Sequence, residues 1–243
     1  MASKYNYLMS YLPPLPCADN IFPKWDELKA LLLQEDSTVI SHIIEILDSK
    51  DKIDSWLDQK YNEFAMPSFL ESDVKDKTSD SEPGKELAKQ ATTLYAGWLK
   101  RIVDSERKIG SKLLSKWAAW VYYLKLAFWK KRIENLEHED LLADEAPEIT
   151  LAGAMPKLFK VIQSSDEGGF DALINHYYSI KTPIEAERML DKAQIDFIDT
   201  LYAPYSASID ELTAYLLKYK IYERQKTFNL EAGQRILKEV MAL

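Results

Sequence analysis

At 243 residues the chain is long enough for one large or two modest domains with a sizeable core. Hydrophobic residues at 47% and charged residues at 29% are ordinary for a globular protein, and only seven Gly against ten Pro favours helices over sheets and tight turns. The formal net charge of −8 argues against nucleic acid as a main partner, one Cys excludes an internal disulfide, and no apolar window is long enough for a membrane span.

The opening MASKYNYLMSYLPPLP is too dotted with Tyr and Asn for a signal peptide, so a cytoplasmic protein is expected. Its aromatic stretch from Tyr5 to Leu12 alternates poorly, which leaves strand and helix both open. Pro13 and Pro14 stop it, and it reads as a terminal segment lying on the core. Trp25, Leu28, Leu31 and Leu32 then mark a short helix. A second helix, capped by Asp36 or Ser37, carries Ile40, Ile43, Ile44 and Leu47. Lys50-Asp51-Lys52 reads as a polar turn before a third, with Ile53, Trp56, Leu57, Tyr61 and Phe64 inward.

The division expected is an N-terminal helical unit over 1–70, a polar linker over 71–86, and long central helices with a C-terminal unit over 87–243, packed as one or two domains. The linker ESDVKDKTSDSEPGKE has charge, Ser, Pro and Gly and almost nothing to bury. Helix resumes near Leu87 and runs through Leu94, Trp98 and Ile102 to Ile109. Gly110 either kinks it or breaks it, so the stretch to Leu136 is one very long helix or two in line. The Lys112–Leu136 stretch is the most apolar of all. Leu113, Trp117, Trp120, Leu124 and Phe128 fall on one helical face, and the stretch closes on Lys130, Lys131 and Arg132, where cations suit the helix dipole.

An acidic connection follows Glu137, broken by Pro147, Gly153 and Pro156. Short helices are expected at Lys157–Gln163 and Phe170–Tyr178. Thr182-Pro183 with Glu185 is a strong helix start, and Ser208 with Glu211 forms a capping box for the next helix. That last helix carries Leu212, Tyr215, Leu216, Tyr219 and Tyr222, and a final segment closes the chain with Ile236, Leu237, Val240 and Leu243 inward.

No catalytic constellation stands out. Gly168-Gly169 lacks the setting of a phosphate loop, and His42, His138 and His176 are far apart. His138 among Glu137, Glu139 and Asp140 reads as a solvated acidic turn rather than a metal site. Glu185, Glu187 and Asp191 read as capping and salt-bridge partners rather than paired catalytic carboxylates. Cys17 sits in a proline-rich turn without a nearby His. The expectation is an all-α, multi-helical protein with long antiparallel helices, no cofactor, no metal and no active site. Its candidate partner-binding residues are the cations Lys130, Lys131, Arg132, Lys220 and Arg224.

Ile184, Glu185, Leu190 and Asp191 in TPIEAERMLDKAQIDFIDTL, then Ile209, Asp210, Leu216, Lys220 and Arg224 in IDELTAYLLKYKIYER, carry a family resemblance. The pattern resembles the C-type central-stalk component of V-type and A-type rotary ATPases (the d-type in the eukaryotic enzyme). The start Tyr5-Asn6-Tyr7-Leu8 is similar to that family's Tyr-rich first helix, and Phe128-Trp129-Lys130-Lys131-Arg132 to the end of a long helix in another of its pseudo-repeats. The chain resembles most a shorter family encoded in bacterial V-type ATPase operons, which closes much as Ala214–Leu243 does. The resemblance implies a funnel-like arrangement of pseudo-repeated helical units. It implies a mechanical role between the rotating shaft and the membrane ring of proteolipids, peripheral at the cytoplasmic face. Helical periodicity alone fits an adaptor of an unrelated complex equally well.

Overall fold

The computed structural model describes residues 5–15, 23–35, 37–58, 83–135 and 169–227. All regular structure among these residues is helical: α1 (Asn6–Tyr11), α2 (Trp25–Leu33), α3 (Thr38–Asp58), α4 (Pro83–Ile109), α5 (Leu113–Asn135), α6 (Gly169–Ser179), α7 (Pro183–Asp199) and α8 (Ile209–Thr227). The chain forms two compact units, one of Trp25–Phe170 and one that joins Met1–Lys24 to Asp171–Leu243. Most of the linker, the acidic connection after Glu137, the Lys157–Gln163 segment, the C-terminal segment, Cys17 and His138 lie outside the described residues.

Within Trp25–Phe170, α2 is fixed to α3 by the Trp25 indole, whose Nε1–H donates to Asp48 Oδ1 at 2.6 Å. Lys29 reaches the same carboxylate at 3.4 Å. The polar turn expected at Lys50–Lys52 is absent, and α3 runs through it without a break. Neither Gly nor Pro interrupts the stretch, and Lys50 pairs with Asp54 one turn on at 2.5 Å, so the charges support the helix instead of ending it. Ile40, Ile43, Ile44, Leu47, Ile53 and Trp56 form one continuous buried stripe along it. Ser37 precedes the helix, yet its buried hydroxyl has no hydrogen-bond partner, so its side chain does not cap.

Helix α4 begins at Pro83, earlier than the Leu87 expected, with Pro at a position where its missing N–H costs nothing. It packs along α3 more extensively than any other described pair. Trp98, only 2% exposed, donates its Nε1–H to the Ile46 carbonyl at 3.1 Å.

Gly110 settles the central question of this unit. Its φ of +74° is a left-handed conformation that ends α4, with its N–H on the Glu106 carbonyl at 2.8 Å. Helices α4 and α5 are therefore neither one rod nor two in line but an antiparallel hairpin. Residues at nearly equal distance on either side of the turn meet: Ser115 donates to Glu106, and Lys125 lies over the Tyr95 ring at 3.7 Å, while Trp98 and Trp117 make an edge-to-face contact between them at 5.9 Å. Leu113, Leu114, Trp117, Ala118, Ala119 and Trp120 are buried, as the apolar face requires. Leu124 and Phe128, expected on that face, are only half-buried.

In the other unit α8 is the core. Leu212, Thr213, Ala214, Leu216, Leu217 and Tyr219 are all fully buried, so this helix is enclosed on most sides rather than along one stripe. Its tyrosines hold the N-terminal segment: Tyr215 donates to the Pro13 carbonyl at 2.9 Å and Tyr219 to the Pro23 carbonyl at 2.6 Å. Leu8 and Leu12 are buried, so the segment does lie on the core, and α1 resolves the strand-or-helix question in favour of helix. Leu12 is extended at ψ 133°, as Pro13 after it demands.

Candidate partner-binding site

The five expected cations fall in both units. Lys130, Lys131 and Arg132 lie near the end of α5, where Lys131 is half-buried and the side chains of Lys130 and Arg132 are outside the described residues. Lys220 and Arg224 lie one turn apart on α8, and both are engaged within the chain. Lys220 Nζ is 2.7 Å from Glu223 Oε2. Arg224 reaches across to α7, with Nη2 on Asp191 and Nη1 3.5 Å from Glu187 Oε2. Tyr177 of α6 adds a hydroxyl to Glu187 Oε1 at 3.4 Å.

Asp191 is the unexpected member. Its side chain is 0% exposed, and its second oxygen, Oδ2, is buried without a hydrogen-bond partner. Glu187 and Asp191 are thus salt-bridge partners, as their types suggested, but Asp191 is a core residue and not a surface charge. A signal for this was in the sequence: Ile184, Asp191, Ile195 and Ile198 share one helical phase, so Asp191 occupies an apolar position. The arrangement locks α6, α7 and α8 together. Losing one partner of such a pair strands a buried charge, at about 3 kcal/mol for a guanidinium that is half exposed.

The connection between α7 and α8 carries a second constellation. At its start Lys218 Nζ lies 2.7 Å from Asp199 Oδ1 and 2.8 Å from the Tyr202 hydroxyl. Burial alone lowers the Lys218 pKa, but the hydrogen bonds to Asp199 and Tyr202 outweigh it and raise the ammonium above its ordinary value. Burial raises Tyr202. The capping signal at the start of α7 is realised, with Thr182 accepting the Glu185 N–H at 3.4 Å. At the far end of the connection Ser208 caps α8 by accepting the Glu211 N–H at 3.2 Å. The Glu211 carboxylate does not return to Ser208. It takes the N–H of Tyr205 at 2.8 Å and of Ala207 at 2.6 Å.

Those two N–H groups belong to the only described non-glycine residues with positive φ, Tyr205 at 60° and Ala207 at 44°. The left-handed region costs an L-residue about 1 kcal/mol or more, so Glu211 holds the backbone where it would not settle by itself. Ala207 is buried, whereas Tyr205 stands 98% exposed.

In the Trp25–Phe170 unit a comparable charge cluster joins three helices. Asp54 of α3 accepts from the Tyr95 hydroxyl of α4 and pairs with Lys50, while Lys125 of α5 stands 3.8 Å away. Burial raises the Asp54 pKa, but Lys50, Lys125 and the hydrogen bonds from Lys50 and Tyr95 together hold it below its ordinary value. Among the described residues no three His, Cys, Asp or Glu side chains gather as metal ligands, and no helix is long and apolar enough to cross a membrane. These clusters join helix to helix through charges that are paired, which is the chemistry of a rigid framework.

No family model, curated protein or solved structure matches the chain.

Proposed function

We propose that this chain is a non-catalytic component of a V-type rotary ATPase, similar to the C-type stalk component. In that role it couples the central shaft to the proteolipid ring during proton or sodium transport. The observation that carries the proposal is the pairing of α7 with α8. These two helices carry the main residues of the resemblance, and they pack against each other. Asp191 and Arg224, both among the resembling residues, meet there as a buried ion pair. The residues that resemble a torque-transmitting family therefore coincide with an ion-paired clamp between α7 and α8.

An all-helical framework held by inter-helix ion pairs suits a part that must carry load without performing chemistry. In this role the protein works at the cytoplasmic face of the membrane, held there by its partners. The end of α5, with Lys130, Lys131 and Arg132, supplies the contact with acidic partner surfaces. Arg224 acts inside the unit and Lys220 is paired with Glu223. Such a contact between cations and an acidic surface weakens as salt rises.

The test is affinity purification of the tagged full chain from its own cells in mild detergent, with quantitative mass spectrometry. Recovery of the V-type shaft proteins and the proteolipid, reduced by raised salt, is the expected result. Clean recovery of a different complex without any ATPase component overturns the proposal and leaves an adaptor role.

A further inference from the structure

We propose that the tip of the α4–α5 hairpin is a docking surface for a short acidic segment of another protein, held by Arg107, Lys108, Lys112 and Lys116. From Arg107 to Lys116 the sequence RKIGSKLLSK carries these four cations and no carboxylate, in a chain whose net charge is −8. The fold gathers them. Gly110, with its φ of +74°, reverses the chain, and Ser115 donates to Glu106 across the hairpin. Arg107, Lys108 and Lys112 lie inside the turn that this hydrogen bond closes, and Lys116 follows Ser115 directly. All four are exposed, and among the described residues none has an ion pair or hydrogen bond through its side chain. Elsewhere in the same unit Lys29, Lys50, Arg101 and Lys125 are each committed to a carboxylate.

Helix capping accounts for only half of the cluster. Arg107 and Lys108 occupy the last turn of α4, where cations offset the helix dipole. Lys112 and Lys116 flank the first turn of α5, which holds no acidic residue, and there the positive end of the dipole opposes them. Like charges crowded at one turn also repel one another. The arrangement works against the fold, and an anion relieves it.

The chemistry of the tip selects the anion. Between Arg107 and Lys116 the residues other than these cations and Gly110 are buried, Ile109, Leu113 and Leu114 among them. No apolar or aromatic side chain at the turn is left to enter a bilayer or to stack on a base. An anionic membrane or a nucleic acid also extends beyond the tip and meets the rest of an acidic chain. A short segment is felt only within a Debye length of about 8 Å, so it meets the tip alone. Lys112 and Lys116 stand one helical turn apart, a spacing that matches carboxylates four residues apart on a partner helix. The carboxylates nearest in sequence are Asp104, exposed one turn before Lys108, and Glu106, held by Ser115. Four cations against these two leave the hairpin end positive. The inference does not rest on the rotary ATPase proposal, because the tip is at the opposite end of α5 from Lys130–Arg132. An acidic partner from another complex would support it while counting against a stalk role.

The experiment titrates the isotope-labelled full chain with a synthetic alanine peptide that carries glutamates four residues apart, and follows backbone amide shifts by NMR. Shifts centred on residues 107–116 are expected, smaller as salt rises and absent with the same peptide bearing Gln in place of Glu. Lys112→Gln combined with Lys116→Gln is expected to weaken binding about tenfold. It is expected to leave Tm undiminished, since these cations oppose the helix dipole. Lys52→Gln combined with Lys100→Gln removes two exposed cations away from the turn and is expected to leave the affinity unchanged. Shifts that are absent or spread over the chain overturn the proposal, as does an equal loss in the Lys52 and Lys100 variant. A clear fall in Tm for the Lys112 and Lys116 variant would assign those lysines to the fold and overturn it too. Tighter binding of phosphatidylserine vesicles or duplex DNA than of the peptide would overturn the choice of occupant and the proposal with it.

Discussion

Replacing Arg224 by Leu tests the α7–α8 clamp. The guanidinium is the group paired with Asp191, whose side chain is 0% exposed and whose Oδ2 already lacks a donor. Arg224→Leu leaves both oxygens of a buried carboxylate unpaired. Stranding a buried charge costs about 3–5 kcal/mol, and the half exposure of Arg224 places this case near 3. For a chain of this length each kcal/mol lowers Tm by about 2–4 °C, so the expected fall is about 6–12 °C. Asp191→Leu combined with Arg224→Leu removes the charge together with its partner. An apolar pair of similar volume is often neutral, so the double variant is expected to recover most of the loss. Urea and thermal unfolding followed by circular dichroism measure both. A cost below about 1 kcal/mol for Arg224→Leu, the range of exposed pairs, would refute the burial argument. So would a double variant that loses the sum of the two single losses, because uncoupled residues add.

Trp98→Ala is expected to cost about 3–5 kcal/mol in chemical denaturation, since it empties a buried site and leaves the indole's bond to Ile46 unmade. Gly110→Ala is expected to cost about 1 kcal/mol by the same assay, through its φ of +74° alone, because nothing stands within 4 Å of an added Cβ. A neutral result there would mean that the hairpin turn tolerates another conformation. The lowered pKa of Asp54 makes a pH prediction. Its contribution to stability is complete above the ordinary aspartate value of 3.8 and is lost as pH falls through the lower folded value. Asp54→Asn is therefore expected to flatten the acid side of the stability curve, modestly, because the carboxylate is a third exposed and salt screens it. An unchanged acid slope in Asp54→Asn would contradict that origin.

Helix content was legible because apolar residues recur at helical spacing in almost every described segment, and burial then follows spacing. Trp117 and Trp120 are buried as that pattern requires. Where the chain turns was less legible. Lys50-Asp51-Lys52 resembles a turn by composition, yet one-turn ion pairing makes the same residues good helix formers. Gly110 was visible as a breaker, but whether helices on either side stay in line depends on long-range contacts such as Trp98 with Trp117. The site was legible in its types and hidden in its partners. Arg224 stood out as a cation, but its commitment to Asp191 crosses between helices, and only the helical phase of Asp191 hinted at burial. The left-handed backbone at Tyr205 and Ala207 was hidden, because neither residue type is among those that favour positive φ.

The coupling role itself is tested most directly by ion pumping. Membrane vesicles from cells depleted of this protein are supplied with ATP, and hydrolysis and ion uptake are measured together. A link between shaft and ring predicts that hydrolysis continues while ATP-driven uptake falls, and that adding back the purified chain restores uptake. Uptake per ATP hydrolysed that is unchanged by depletion would contradict the coupling role.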